Sequence, residues 1–176
     1  MVNSIQKKML LTIGMQYTII GNSILITDRD TKQLHNLFMI ARDLYPKGSS
    51  RVAASLVYKN RVYVYGFNQD KTHPFQAQYA KNEEAIYWHA ETNAIYNALK
   101  STGMVPATSR NFWEYSDLNK MTLYVARAKH YDGENAEWTW GNSKPCSGCM
   151  SCLYKYDIRR IVYSMDEIGH YGVINA

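Results

Sequence analysis

Hydrophobic and polar residues along the chain recur at intervals that predict short helices and strands in alternation. The first clear helical pattern follows Asp30, which is suited to an N-cap position. Apolar residues then recur at the spacing of one helix face, at Leu34, Leu37, Phe38, Ala41 and Leu44. Pro46 and Gly48 interrupt the pattern, so the first helix is predicted to end before them.

A β-hairpin is predicted directly after this helix. Residues 52–58 and 61–67 are strand-like segments joined at Lys59-Asn60. Because the connection is so short, the two strands should pair antiparallel.

The rest of the chain continues to alternate between helix and strand. A helix is predicted over residues 83–100, and strands over 121–128 and 159–165. Pro145 stands where a first helical position is expected, and a short helix should run through Cys152 to Tyr156. Strands that alternate with helices are typical of a layered α/β fold.

The first 29 residues look like an addition to this domain. Residues 16–20 and 23–27 flank Gly21-Asn22, a pair suited to a tight hairpin turn. The apolar stretch over residues 9–20 is too short to cross a bilayer, and no clear signal peptide is present. We therefore expect no membrane association, a cytoplasmic location and a single domain over residues 1–176.

Composition narrows the possible classes of protein. The chain is 46% hydrophobic and 20% charged, which fits a globular protein rather than a disordered one. Its formal net charge of +5 favours anionic partners without choosing between nucleotides and nucleic acid. The 3 cysteines all lie between positions 146 and 152, which favours metal binding over a disulfide framework.

Two separated motifs carry the chemistry. His89-Ala90-Glu91 is followed by Pro145-Cys146-Ser147-Gly148-Cys149, and together they form the H-x-E and P-C-x-x-C signature known from zinc deaminases. Two thiolates and one imidazole are suitable zinc ligands, and they leave a fourth tetrahedral position for water. We expect His89, Cys146 and Cys149 to bind Zn²⁺.

Glu91 is the candidate for general acid/base catalysis. A carboxylate beside the metal can take a proton from zinc-bound water and return it to the leaving amine. As a fourth ligand it would instead block the reaction. The spacing of Cys146 and Cys149 places both thiols on one face at a helix start, where the helix dipole favours thiolates.

The cysteines also allow other interpretations. A C-x-x-C pair alone could be a redox pair or half of a structural zinc site. A redox pair does not explain His89 and Glu91, and a structural site would need a fourth ligand from Cys152 or a distant histidine. Cys152 is one turn further along the helix and is interpreted as a small buried hydrophobic residue. His73 and the other remaining histidines have no ligand-like spacing to the motif and are interpreted as surface or hydrogen-bonded residues.

The chain resembles the cytidine and deoxycytidylate deaminase superfamily, most closely its deoxycytidylate branch, which includes phage-encoded enzymes. Besides the zinc motifs, the resemblance rests on five segments: residues 38–41, 51–54 and 66–68, and the two strands that contain Thr122-Leu123-Tyr124-Val125 and Arg160-Ile161-Val162-Tyr163. It covers about three quarters of the chain. It implies a three-layer α/β/α sandwich with a mixed central sheet.

The resemblance also implies roles for several residues in substrate binding. Asn68 would contact the sugar, although it could instead stabilise a turn. Ala90 would offer its backbone N–H to the base, and the carbonyl of Asn142 or Ser143 would face the exocyclic amine. Tyr163 or Tyr171 would lie over the substrate.

The chain departs from the family pattern in length. Cys146 follows His89 by 146 − 89 = 57 positions, more than expected for this branch. The additional residues fall at 104–120, predicted to be irregular, and at 129–144, predicted to be a polar loop that contains tryptophan. We interpret both as insertions that could reshape access to the substrate.

Three functions are consistent with these observations. The first is conversion of deoxycytidine monophosphate (dCMP) to dUMP and ammonia, with Arg51, Lys47 or Lys71 near the phosphate. The second is deamination of cytosine or adenine in single-stranded DNA or tRNA, with Trp138 and Trp140 as stacking residues. The third is a non-catalytic zinc-binding module, against which Glu91 argues. The resemblance favours the first function, in a homo-oligomer.

Overall fold

The structure, a computed structural model, describes residues 26–44, 50–79, 87–101, 118–130 and 137–175. The predicted N-terminal hairpin, Lys47 and nearly all of the insertion at 104–120 lie outside the described residues. Within the described part of the chain, no helix is long and apolar enough to span a membrane.

A mixed β-sheet forms the centre of the fold. Its strands are β1 (Ser50–Tyr58), β2 (Arg61–Phe67), β3 (Thr122–His130), β4 (Trp138–Gly141), β5 (Arg160–Ser164) and β6 (Tyr171–Asn175). The order is β2-β1-β3-β5-β6, and β4 pairs with β3. The β3 and β5 strands are parallel, whereas the other pairs are antiparallel.

Helices cover both faces of this sheet. The helices are α1 (Asp28–Asp43), α2 (Pro74–Ala77), α3 (Ala90–Ser101) and α4 (Ser147–Lys155). Leu34 and Leu37 of α1 belong to one buried cluster, whereas Ile95 of α3 and Leu153 of α4 belong to the other. The predicted three-layer α/β/α sandwich with a mixed sheet is confirmed.

The hairpin predicted from residues 52–67 is confirmed, with its turn at the predicted place. Lys59 and Asn60 both have positive φ, 44° and 71°, as a two-residue turn of this hand requires. In β2, Gly66 allows α3 to approach closely, because a Cβ there would lie only 2.2 Å from the backbone nitrogen of Ala94. Gly66 thus sets the distance between the sheet and the helix that follows His89.

The N-cap predicted at Asp30 is wrong. The helix starts three residues earlier, because Thr27 and Asp30 form a capping box. The Thr27 hydroxyl accepts a hydrogen bond from the Asp30 N–H at 3.2 Å, and the Asp30 carboxylate accepts one from the Thr27 N–H at 2.9 Å.

The helix predicted over residues 83–100 begins only at Ala90 in the described structure. Hydrogen bonds hold Trp88, two residues before the helix, in extended backbone: its carbonyl accepts from the Gln69 N–H at 2.9 Å and its N–H donates to the Lys71 carbonyl at 3.0 Å. His89 therefore lies just before the helix rather than inside it. The short helix α2, which the sequence did not predict, lies in the segment before Trp88.

Two further predictions are corrected near the cysteines. The segment 129–144 is not simply a loop, since β3 extends to His130 and β4 pairs with its end. The helix expected around Cys152 already begins at Ser147, with Cys146 as its N-cap rather than Pro145 at a first helical position. Strand β6, which pairs with β5, was also not predicted.

A buried ion pair fastens α1 to the sheet. Arg160 of β5 donates two hydrogen bonds to the Asp30 carboxylate at 2.8 and 2.9 Å, and the Tyr124 hydroxyl donates one at 2.6 Å. Burial raises the pKa of Asp30, but these hydrogen bonds and those from Thr27 outweigh it and lower the pKa to about 2. The ionised carboxylate is thus favoured in the folded state.

We expect the free energy of unfolding to fall by about 2 kcal/mol as the pH drops from about 4 to about 2, because of Asp30 alone. The folded pKa lies below the unfolded value of 3.8, so the stabilisation is present above pH 4 and is lost on protonation. Urea unfolding at several pH values would measure it. The Asp30→Asn variant should lose this part of the pH dependence, and an unchanged acid profile would contradict the prediction.

Candidate metal centre and active-site cleft

Three residues from two separate segments lie close together at the N-termini of α3 and α4. The ligand atoms of His89, Cys146 and Cys149 all lie within 4.8 Å of one another. The Nδ1 atom of His89 is 3.6 Å from the Cys146 Sγ and 3.3 Å from the Cys149 Sγ. Among the described residues, this is the cluster of metal-ligating side chains that the fold assembles.

These distances fit a zinc ion. Zinc lies about 2.3 Å from sulfur and about 2.0 Å from nitrogen, so tetrahedral ligands of these two kinds are about 3.6 Å apart. Three protein ligands are the number found in catalytic sites, whereas structural sites have four. Cys152 is not part of the cluster: it is fully buried in the core, and burial raises the pKa of its thiol to about 12.

The two thiols titrate as a coupled pair. A hydrogen bond from the Cys149 thiol, together with His89, lowers the pKa of Cys146 to about 3 against the effect of burial. The same bond and burial raise the pKa of Cys149. The pair therefore holds one proton between them, and a divalent cation can replace that proton and bind both as thiolates.

The N-termini of two helices face the cluster. Cys146 is the N-cap of α4, and its Sγ accepts a hydrogen bond from the Cys149 N–H at 3.5 Å. Glu91 lies in the first turn of α3. Positive helix ends favour thiolates and carboxylates, so both helices support the charge of this site.

Buried polar residues hold the start of α3 in place. The Gln76 side chain is fully buried, and its Oε1 accepts hydrogen bonds from the Thr92 hydroxyl and from the His89 N–H, the latter at 3.4 Å. The Asn93 Oδ1 accepts from the Phe67 N–H at 2.8 Å, which ties the helix to the end of β2. The Gln76 side chain thus holds the backbone of His89 directly, and Asn93 holds the helix that follows it.

An open cleft of about 280 Å³ leads to the metal ligands. Glu91 lines it and is only 6% exposed. Burial raises the pKa of Glu91, while the nearby His89 acts in the opposite direction. A buried carboxylate next to a metal centre in a cleft is suited to proton transfer.

Comparison with known families agrees with this geometry. The model of the cytidine and deoxycytidylate deaminase zinc-binding region matches residues 27–165, well over half of the chain. The chain belongs to this deaminase family. A comparison with curated protein sequences gave no significant match. The predicted zinc cofactor is confirmed by the family and by the His89, Cys146 and Cys149 cluster.

The deaminase cleft contains most of the residues predicted to bind substrate. Asn68, Ala90, Asn142 and Ser143 all line it together with Glu91. Arg51 and Tyr171 are not among the residues that line it, and neither is Tyr163 or Lys71.

The positions of Arg51 and Tyr171 follow from strand geometry. Successive residues of a strand point to opposite faces of the sheet, so Arg51 points away from the face on which Val52 lines the cleft. The Arg51 guanidinium lies 4.4 Å from the centre of the Trp138 ring and donates a hydrogen bond to the Arg42 carbonyl. Tyr171 is buried against Trp140, with ring centres 5.8 Å apart, in the cluster around α1.

His73 has a structural position near the deaminase cleft. Its Nδ1 accepts a hydrogen bond from the Phe75 N–H at 3.1 Å, which caps α2. Its ring stacks on Trp88 with centres 3.7 Å apart. Burial and the nearby Lys71 lower the pKa of His73, so the neutral ring that stacks and caps is favoured.

Sequence reasoning missed several residues of the deaminase cleft. Arg127, Lys144, Trp88 and Asp70 line it, together with Gln69 and Tyr87. Arg127 enters because β4 pairs with β3 and brings Gly141 opposite it. The alternation in Trp138-Thr139-Trp140 was a signal for that strand.

Proposed function

We propose that this deaminase converts dCMP to dUMP and ammonia. The observation that carries the proposal is a single cleft that joins the metal centre to a buried carboxylate and to polar residues suited to bind a base and a sugar. It is lined by His89, Cys146, Glu91, Asn68, Asn142 and Ser143. In the reaction, the oxygen of water forms a bond to ring carbon C4, and the bond from C4 to the exocyclic nitrogen breaks. Bound zinc supplies the Lewis acid that makes water nucleophilic at neutral pH.

Glu91 moves the proton in this proposal. Its carboxylate accepts one proton of the attacking water and delivers it to the exocyclic nitrogen, so that ammonia can leave, and the other proton of the water ends on ring nitrogen N3 of dUMP. Burial raises the pKa of Glu91, which eases the first transfer, from water to the carboxylate. The position of Glu91 in the cleft, one residue after the helix start, supports this role.

The remaining contacts of the base and sugar are also proposed from positions in the cleft. The Ser143 hydroxyl donates to the Val125 carbonyl at 2.8 Å, which fixes the backbone at this point for its own carbonyl to accept from the exocyclic amine. The Ala90 N–H, at the first residue of α3, has no helical partner and can donate to the base. The Asn68 Oδ1 accepts from the Val52 N–H at 2.7 Å, which leaves its NH₂ group to face the sugar.

Ammonia release tests this proposal directly. The zinc-loaded protein is offered dCMP, deoxycytidine, adenosine monophosphate and a cytosine-containing single-stranded oligonucleotide in parallel, and metal-stripped protein is the control. We expect turnover of dCMP that depends on zinc. Turnover of the oligonucleotide without turnover of any monomer would overturn the proposal in favour of a nucleic-acid deaminase.

The cytoplasmic location and the homo-oligomer remain predictions. All three cysteines are free thiols in the structure, which suits a reducing compartment. The subunit number can be measured by sedimentation of the zinc-loaded protein.

A further inference from the structure

Two cationic residues lie at the mouth of the cleft, on either side of Asn142. Arg127 reaches it from β3, and Lys144 follows in the segment that leads to Cys146. Sequence reasoning had placed the phosphate near Arg51, Lys47 or Lys71. Arg51 and Lys71 do not line the cleft, whereas Arg127 and Lys144 do.

The Arg127 side chain is directed by the opposite strand. Arg127 pairs with Gly141, and a Cβ on Gly141 would lie 2.9 Å from the Arg127 Cγ and Cδ atoms. The side chain therefore crosses directly over this glycine. Its Nη1 reaches to 3.5 Å from the Asn142 carbonyl, next to the segment proposed to contact the base.

The Lys144 backbone is held to the same residue. Its N–H donates a hydrogen bond to the Asn142 Oδ1 at 3.0 Å, while the residue itself is exposed at the cleft. A guanidinium has five N–H donors in a planar fork, so Arg127 can contact the Asn142 carbonyl and still bind an anion.

Hydrogen bonds from Lys129 and the Asn142 N–H, together with the charges of Lys129 and Arg127, lower the pKa of Asp166, an acidic residue beside this mouth. Asp166 accepts hydrogen bonds from the Lys129 ammonium at 2.5 Å and from the Asn142 N–H at 3.2 Å. Besides Glu91 at the metal centre, Asp70 is the acidic residue among those that line the cleft. The mouth on the Asn142 side is thus lined by two cationic side chains, Arg127 and Lys144, with Asp166 close by.

We propose that Arg127, assisted by Lys144, binds the phosphate of the substrate and makes this deaminase select nucleotides over nucleosides. The inference rests on the proposed function and adds to it the group that recognises the phosphate. Gly141 and Lys144 lie in the described part of the apparent insertion at 129–144, where β4 pairs with β3, so this part has a role in specificity.

The test compares kcat/KM for dCMP and deoxycytidine in the wild type and in Arg127→Gln. A hydrogen-bonded charge pair contributes enough that we expect kcat/KM for dCMP to fall about 10- to 100-fold and that for deoxycytidine to stay unchanged. Arg127→Lys should retain part of the selectivity. Arg159→Gln is the matched control, because Arg159 pairs with Asp157 on the exposed surface and does not line the cleft.

Three results would overturn the proposal about Arg127. The first is an equal fall of kcat/KM for dCMP and deoxycytidine, and the second is unchanged selectivity in Arg127→Gln. The third is activity on the oligonucleotide, but on no monophosphate, that Arg127→Gln reduces. The last result would assign the arginine to a polynucleotide backbone instead.

Failure of the proposed function is distinguishable from failure of this inference. The same ratio is measured for adenosine monophosphate and adenosine, so an enzyme specific for adenine would contradict the dCMP assignment while still testing Arg127. Calorimetric binding of dUMP and deoxyuridine gives a measure that needs no turnover. Tighter binding of dUMP that is lost in Arg127→Gln supports the inference, and equal binding of both overturns it.

Discussion

Replacing Glu91 by glutamine is expected to lower kcat about 10³-fold while the protein keeps its zinc. General acid/base catalysis by a positioned side chain contributes about 10²- to 10⁴-fold, and glutamine has the shape of glutamate but cannot carry the proton. Glu91 is 6% exposed and lines the cleft, so bulk water cannot easily take over its role in proton transfer. Steady-state ammonia release and zinc content by atomic absorption measure the two parts of the prediction.

The control and the contradicting results for Glu91 are equally specific. Glu167→Gln also removes a carboxylate, but Glu167 is an exposed partner of His170 and should leave kcat unchanged. Activity of Glu91→Gln within threefold of the wild type would show that another group transfers the proton. Loss of zinc from this variant would show that Glu91 is a ligand, and a ligand cannot serve as the proposed proton carrier.

The metal centre could be predicted from the sequence because its determinants are local. Cys146 and Cys149 are three residues apart, and one helix start brings both thiols together. His89 and Glu91 are likewise joined by short spacing. Residue chemistry then specified the metal without any knowledge of the sheet.

The residues that line the rest of the cleft depend on strand pairing, which the sequence predicts less well. Arg51 was assigned to the phosphate from the family resemblance of residues 51–54, but the alternation of side chains along β1 directs it to Trp138 on the other face. Arg127 was not considered, since its access to the cleft requires β4, which was read as loop. A shift of one residue along a strand changes the face, so proximity in sequence was not sufficient.

The starts of two helices, α1 and α3, were also predicted at the wrong residues. Asp30 has the chemistry of an N-cap, yet its carboxylate serves Thr27, Tyr124 and Arg160, two of which are distant in sequence. The start of α3 was predicted too early because helix-forming residues precede it, whereas the bridge from Trp88 to Gln69 determines where extended backbone ends. A local capping box between Thr27 and Asp30 sets the first start, and the long-range hydrogen bond between Trp88 and Gln69 sets the second against local propensity.

Replacing Cys149 by alanine is expected to abolish both zinc binding and deamination. With one thiolate gone, only His89 and Cys146 remain, and two protein ligands are too few to hold a catalytic zinc ion. Cys152→Ala is the matched control, because Cys152 lies one turn further along α4, is equally buried and has no place in the cluster. It should keep zinc, and its activity should match that of the wild type.

Chelation of the wild-type protein should reproduce the Cys149→Ala phenotype and also lower the melting temperature. Zinc that binds only the folded state stabilises it, and these ligands join the start of α4 to the residue that precedes α3. Added zinc should restore activity and melting temperature to the chelated wild type but neither to Cys149→Ala. If instead Cys152→Ala lost the metal and Cys149→Ala retained it, the ligand would be the cysteine in the core, and α4 would have to rotate by a turn to present it. That rotation would be costly, because His89 contacts both the Cys146 and the Cys149 sulfur. It would take these thiols away from His89 and bury them among apolar residues.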